Sequence, residues 1–553
     1  MKLFYLVPFW LFPFCFTLNA DLQVKISQGT LEGRLLFNAD NKSFRAFQGI
    51  PYAQPPLGLL RFQPPQAYKQ WSGILNATKD SNLCYSITGD DPNESEDCLY
   101  LNVYTPVLYN DDNSKLPVLL WIHGGGYTDG NSLYSNFGPD FLINKDIVIV
   151  TINYRLGPFG FLSTGDTIIS GNAGHKDQAA AIKWTFENIQ AFGGNPQAIT
   201  ISGQSAGGSS VGYQLLYKKN EGLFRGAILE SGSPLSPWSY QDSTIARSYA
   251  FDLAKQINES IDLSNSSSLL KEFLLSVDGK AINSASAQIQ QRPLPVIEPN
   301  TEDAFLTQSQ YSLLENGDFI KVPLIMGTTS EEDLSQGKDL HNLKRKLQSY
   351  EDNPEKFIPN DFTVIEGVSK SFIGEQVKDL YFKNVTDEDI KMGHLIKFLS
   401  HTTYASPVVK HADLASNYTK VYFYIFSYDG LMGNVNITVK GADKVEHAED
   451  PKYLFLKYDD SYSNTDLSRF PKEDILTHYR LIELWTNFVK YLEPTPIKSE
   501  LLQNITWPVY TSEICQYLDI GENLEVNKNP HNPYYKTWVQ FYDKWAKKPL
   551  ITF

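Results

Sequence analysis

Short runs of apolar and β-branched residues, with no polar alternation inside them, recur along the chain between longer stretches whose apolar positions fall at helical spacing. The runs at 116–123 and 147–154 predict strands buried on both faces, because a strand with one wet face would alternate. Further runs at 198–202, 226–229, 322–326 and 421–426 predict four more strands, and residues 22–37 read as a glycine-marked pair of short ones. Between the second and third runs, residues 176–189 form an alanine-rich amphipathic helix that Phe192-Gly193-Gly194 closes. Strands alternating with helices predict a mostly parallel sheet with helices on both faces. Residues 240–316 and 338–398 are polar and helical in pattern, yet no Pro/Gly/Ser-rich linker borders them. They read as excursions from a single sheet, so one domain over 21–553 is expected, although 553 residues would suggest three or four domains by length alone.

The first twenty residues break this pattern. Lys2 precedes an apolar stretch interrupted only by Pro8, Pro13 and Thr17, and Asn19-Ala20 follows, which reads as a secretory signal peptide over 1–20. The stretch is too short for a spanning helix, and no later segment is long and apolar enough. With no retention or anchor signal in Lys547-Lys-Pro-Leu-Ile-Thr-Phe553, a secreted product without a membrane span is expected. In that compartment Cys84 and Cys98, which flank a turn-rich polar stretch, are expected to pair. Cys15 leaves with the signal, and Cys515 reads as a free thiol in a half-buried strand. Sequons at Asn41, Asn76, Asn93, Asn258, Asn265, Asn384, Asn417, Asn436 and Asn504 are candidate glycosylation sites on surface loops. The 48 basic against 63 acidic residues give a net charge of −15. Phosphate-backbone binding needs a basic patch, so a nucleic-acid partner is excluded.

The candidate chemistry lies where predicted strands end. Gly203-Gln204-Ser205-Ala206-Gly207 joins the strand at 198–202 to a helical pattern, the context of a nucleophile elbow that projects a serine hydroxyl above the sheet. A serine needs a base, an acid to orient it and donors for the oxyanion. In this order of elements the acid follows the strand at 322–326, where Glu331, Glu332 and Asp333 are adjacent and spacing alone does not choose among them. Of the later histidines, His341, His394, His401, His411, His447, His478 and His531, His447 follows the last strong strand in a polar loop and is the candidate base. His478 falls inside a helical pattern. His123-Gly124-Gly125-Gly126 follows a buried strand and can aim backbone N–H groups at an oxyanion, with Ala206 after the serine as a further donor. The Lys and Ser/Thr of a phosphate-binding loop are absent after it. No cluster has metal-ligand spacing, so neither metal nor organic cofactor is expected.

With these residues in place the chain resembles the type-B carboxylesterases, the cholinesterase-like α/β-hydrolases, over nearly all of its length. The resemblance is carried by Phe47-Gln-Gly-Ile-Pro-Tyr-Ala53, Arg61-Phe62, Glu96-Asp-Cys-Leu-Tyr-Leu-Asn-Val103, His123 to Gly126, Asn153-Tyr-Arg-Leu-Gly157, Lys176-Asp-Gln178 and the stretch 192–207. It implies the α/β-hydrolase fold and hydrolysis of small-molecule carboxylic esters by water through a Ser-His-Glu triad. It also implies Glu332 as the acid, Gly125 and Gly126 as the loop donors, and the pairing of Cys84 with Cys98. Ser231 matches a position that supports the acid, and Trp238 one beside the acyl pocket. No tryptophan lies between Cys84 and Cys98, where cholinesterases stack the choline cation, so apolar esters are expected rather than choline esters. No cysteine pair follows Trp238, and Asp333 stands where a glycine often follows the acid. Gln204 is similar to insect juvenile hormone esterases, whereas Lys444 stands where those usually have glycine. The competing class is a catalytically silent adhesion or binding protein on the same fold.

Overall fold

The computed structural model describes residues 21–89, 91–110, 113–455 and 465–553. The expected signal peptide and Cys15 lie outside the described residues. Its centre is an eleven-stranded sheet: β1 (Arg34–Phe37), β2 (Ser43–Pro51), β3 (Tyr100–Thr105), β4 (Leu116–Ile122), β5 (Val148–Ile152), β6 (Gly194–Gln204), β7 (Gly226–Glu230), β8 (Leu324–Thr329), β9 (Val421–Phe426), β10 (Gln516–Ile520) and β11 (Leu524–Lys528). The spatial order is β11-β10-β9-β8-β7-β6-β4-β5-β3-β2-β1. Strands β5 through β10 in that order, with β4 and β6 between, run parallel, and antiparallel pairs close both ends. The fold is the α/β-hydrolase fold.

The absence of alternation in the central runs follows from burial on both sides. Along β4, Val118, Leu120 and Ile122 join one core, while Leu119 and Trp121 join the other. In β8, Leu324 and Met326 face the first core and Ile325 the second. Helices α1 (Ala173–Asn188) and α2 (Ala206–Leu216) supply Ala181, Ile182, Val211 and Leu215 to the first core. On the other side α3 (Lys472–Tyr491) supplies Leu481, Trp485 and Phe488.

The expected pair of strands at 22–37 is three: Gln23–Lys25 and Thr30–Glu32 form a small separate sheet with Ile74–Asn76, and only β1 joins the main one. Strand β8 runs three residues further than its apolar run, because Gly327, Thr328 and Thr329 are buried between β7 and β9. Cys515 is not in a strand. It precedes β10 in a left-handed turn (φ 50), half-buried, as a free thiol. Cys84 and Cys98 form a disulfide with Cα atoms 5.0 Å apart. All nine sequon asparagines are exposed. The excursion at 240–316 packs its own core, with Tyr249, Leu253, Leu270 and Ile282 against Phe62 and Phe159. Arg61 anchors it by holding Glu96 through two nitrogens and reaching the carbonyls of Leu274 and Val277 at 2.6 and 2.8 Å.

Candidate active site

The parallel register brings the carboxyl ends of the central strands level: Gly203 pairs with Ile122, Gln204 with Glu230, and Glu230 with Gly327. The residues following those ends share one edge of the sheet, where ligand sites of open α/β sheets form. Strand β6 ends at Gln204 and α2 begins at Ala206, which leaves Ser205 to make the whole reversal with φ 59 and ψ −124. A non-glycine residue there is strained by about 1–3 kcal/mol and persists only when its surroundings fix it. They do: Ser205 N–H donates to Glu230 O, and its carbonyl accepts from Ser209 N–H, both at 2.8 Å. A Cβ on Gly207 would collide with the carbonyls of Ile122 and His123, so the elbow packs directly on the end of β4.

Of the three adjacent carboxylates, only Glu332 meets a histidine. Its Oε2 lies 2.5 Å from His447 Nδ1, while Oε1 accepts from Ser231 Oγ at 2.7 Å and Thr329 N–H at 2.8 Å. A carboxylate can only accept, so Nδ1 carries the proton and Nε2 keeps the lone pair. Burial pulls the His447 imidazole down, but the charge and hydrogen bond of Glu332, helped by Asp450 and Asp333, outweigh it and leave the net shift upward from 6.5. The neighbours differ. Glu331 is tied to Ser400 Oγ and Asp443 N–H, and burial pushes it up to about 7. Burial likewise pushes Asp333 up to about 6. Four of the other candidate histidines are held low by desolvation: His411 at about 3, His531 and His478 at about 4, and His401 well below its ordinary value. His478 sits in α3 facing the Tyr453 carbonyl, and Lys444 pairs with Asp429 at 3.2 Å.

The glycine loop after β4 lies alongside. Gly125 has φ 110 and a Cβ there would strike the Asp129 carbonyl, so only glycine fits. Among the described residues the N–H groups of Gly125, Gly126 and Ala206 find no acceptor, which leaves them free to bind an oxyanion. His123 is stacked on Tyr154 at 4.5 Å, and burial holds it down at about 4, so it stays neutral. The Tyr154 hydroxyl donates to the His123 carbonyl at 2.9 Å and fixes the start of the loop.

Trp238 packs against Tyr127 at 6.4 Å and Tyr404 at 5.4 Å, and its Nε1–H donates to the Thr403 carbonyl at 2.9 Å. Tyr404 was not among the sequence candidates, yet its ring lies 4.3 Å from the His447 ring. It belongs to a π-helical turn, His401–Ala405, inserted between the helices Glu388–Ser400 and Ser406–Ser416. Such insertions recur at functional sites because the extra residue re-aims a side chain. Nothing in the pattern of His401-Thr-Thr-Tyr-Ala405 signals one. Among the described residues no group of three or more His, Cys, Asp or Glu side chains could hold a metal ion.

The sequence matches the model of the carboxylesterase family over residues 20–538. The chain belongs to that family. It is 31% identical to venom carboxylesterase-6 of Apis mellifera over 94% of each chain. To the juvenile hormone esterase of Tribolium castaneum it is 30% identical over 87% of this chain and 84% of that one. The crystal structure of juvenile hormone esterase from Manduca sexta, with OTFP covalently attached, superposes with a TM-score of 0.80 at 27% identity, covering 94% of this chain and 99% of that one. This protein is thus a carboxylic ester hydrolase, and among its described residues no helix is long and apolar enough to cross a membrane.

Proposed function

We propose that the protein is a secreted serine carboxylesterase, one domain over 21–553 after loss of a signal peptide, that cleaves apolar esters through Ser205, His447 and Glu332. The observation that carries this reading is the 2.5 Å contact of His447 Nδ1 with Glu332, on the same sheet edge as the strained Ser205 and the free N–H groups of Gly125, Gly126 and Ala206. Ser205 Oγ attacks the ester carbonyl carbon, its proton passes to His447 Nε2, and the carbonyl π-electron pair moves to the oxygen facing the three N–H groups. As the tetrahedral intermediate collapses, the C–O bond to the alcohol breaks and that oxygen takes the proton from His447. Water repeats the sequence on the acyl-enzyme and frees Ser205. Glu332 holds the ring in the productive tautomer, with Ser231 Oγ fixing the carboxylate.

The half-buried rings of Trp238 and Tyr404, the latter against His447, support an apolar acyl or alcohol group, and a relative named juvenile hormone esterase supports an ester substrate. Exposure of all nine sequons supports glycosylation in the secretory route. Ser205→Ala is expected to abolish turnover of a soluble aryl ester, and a fluorophosphonate is expected to label the parent stoichiometrically at Ser205. Turnover by Ser205→Ala near the parent rate, or a parent that binds esters without being labelled, would defeat the reading.

A further inference from the structure

His447 offers two nitrogens, and both are engaged: Nδ1 by Glu332, and Nε2 by the side-chain nitrogen of Gln204 at 3.1 Å. With Nδ1 carrying the proton, Nε2 is an acceptor, so the Gln204 amide donates to it. This is the lone pair that takes the Ser205 proton in the proposed reaction, and the inference rests on that reading. Gln204 is well placed to reach it. It is the last residue of β6, paired with Glu230 in the sheet, 7% exposed, and adjacent to Ser205. Its Oε1 lies on the side of Gly124, at the root of the oxyanion loop, so the amide spans the gap between that loop and the base.

We propose that Gln204 is a positioning residue that holds the proton-accepting nitrogen of His447 between turnovers, donating to the neutral ring and accepting from the protonated one. An amide can do both because half a rotation about its last torsion exchanges NH₂ for oxygen, whereas a carboxylate at the same place only accepts. Acylation then exchanges the Gln204 hydrogen bond for one from Ser205. When the imidazolium forms, the turned amide offers Nε2–H an acceptor without adding charge. The other groups facing the ring are Glu332, Asp333 and Asp450, whose charges favour the imidazolium, and Tyr404, its ring 4.3 Å away and tilted by 35°. A fourth acidic group at position 204 would tip that balance toward the cation, and the uncharged amide avoids this.

Two variants test it, with the His447 ring titration read by NMR on ¹³C-histidine-labelled protein, assigned by the signal lost in His447→Gln. In Gln204→Glu the midpoint is expected to rise by about one to two pH units, the usual effect of a carboxylate in contact with a titrating partner, and the acid limb of kcat/KM should move with it. In Gln204→Met, which keeps the volume and loses the hydrogen bond, kcat is expected to fall about five- to tenfold with KM little changed, as for one lost hydrogen bond. An unmoved midpoint in Gln204→Glu, or a parent kcat in Gln204→Met, overturns the proposal. If the parent failed to label at Ser205, the functional reading would fall, while the ring titration would still decide this one.

Discussion

Replacing Glu332 by glutamine removes one charge and one acceptor without changing shape, and the hydrogen bonds around it dictate the consequence. Thr329 N–H and Ser231 O–H both point at Oε1, so the amide oxygen is held on that side. The amide NH₂ is then forced toward His447 Nδ1, where the carboxylate Oε2 had been. Two N–H groups cannot face each other, so the ring must place its proton on Nε2 and present Nδ1 as the acceptor. In that tautomer Nε2 cannot take the Ser205 proton. The loss expected for such a change is about 10³–10⁴ in kcat. At 1.36 kcal/mol per decade that is about 4–5.5 kcal/mol of transition-state stabilisation. The assay is kcat and KM on a soluble aryl ester, normalised to fluorophosphonate-titratable sites, beside Glu331→Gln and Asp333→Asn. Those two carboxyls are already held up at about 7 and about 6 and do not touch the ring nitrogens, so each should lose only a few-fold. A Glu332→Gln enzyme retaining more than a tenth of parent kcat would refute the reasoning, as would an equal loss in Glu331→Gln.

The raised folded pKa of His447 has a definite sign in both activity and stability. The base works when neutral, so kcat/KM should fall on acidification with a midpoint above the ordinary 6.5. The bound proton stabilises the fold fully below that unfolded value and ceases to do so as pH rises through the folded one. The Tm difference between parent and Glu332→Gln should therefore be widest near pH 6 and narrow at higher pH, and a gap that widens with pH would contradict this. Gly125→Ala puts a methyl against the Asp129 carbonyl at φ 110 and displaces a donor. Its kcat should fall about 10²–10³-fold, and a loss below tenfold in steady-state assays would remove Gly125 from the oxyanion site. Arg155→Met leaves Asp177 buried without the two 2.7 Å bonds it now receives, which should cost about 3–5 kcal/mol in urea unfolding. Arg155→Met/Asp177→Leu should recover most of that, and a single-variant cost below about 1 kcal/mol would show the pair to be relaxed or hydrated.

The strands that carry the site were legible because burial on both faces leaves runs such as Val148–Ile152 with no polar position to confuse the period. The edge strands were harder. In β11, Leu524–Lys528, only Leu524 is buried, so neither period stands out. The elbow was legible because a strained reversal restricts which residues can stand beside Ser205. The acid was not legible from spacing, since Glu331, Glu332 and Asp333 are equivalent until the loop folds. Hydrogen bonds from Ser400 and Asp443 hold the first, and Ser231 with Thr329 aims the second. The role of Tyr404 depends on a π-turn whose cause is the packing of two helices, and the hold of Gln204 on His447 joins residues 243 positions apart.

Several of the residues that carry the family resemblance pair away from Ser205, and their contacts show what they hold. Arg155 binds Asp177 of α1, and Lys176 beside it reaches Glu298 at 2.6 Å in the polar excursion. Arg61 and Glu96 pin the neighbouring helices, and Tyr154 ties β5 to the carbonyl that begins the glycine loop. The Arg155–Asp177 and Lys176–Glu298 pairs are buried, and removing one partner of either would strand the other charge. The serine elbow, the glycine loop and the His447 loop belong to different strands, and hydrogen-bonding geometry at the site requires them to agree within a few tenths of an ångström. A sheet fixes register along its strands, but the loops beyond the strand ends need their own ties. Tyr154 ties the glycine loop, Ser205 N–H on the Glu230 carbonyl ties the elbow, and Glu331 N–H on the Val445 carbonyl with His447 N–H on the Glu332 carbonyl ties the histidine loop to the loop that carries the acid.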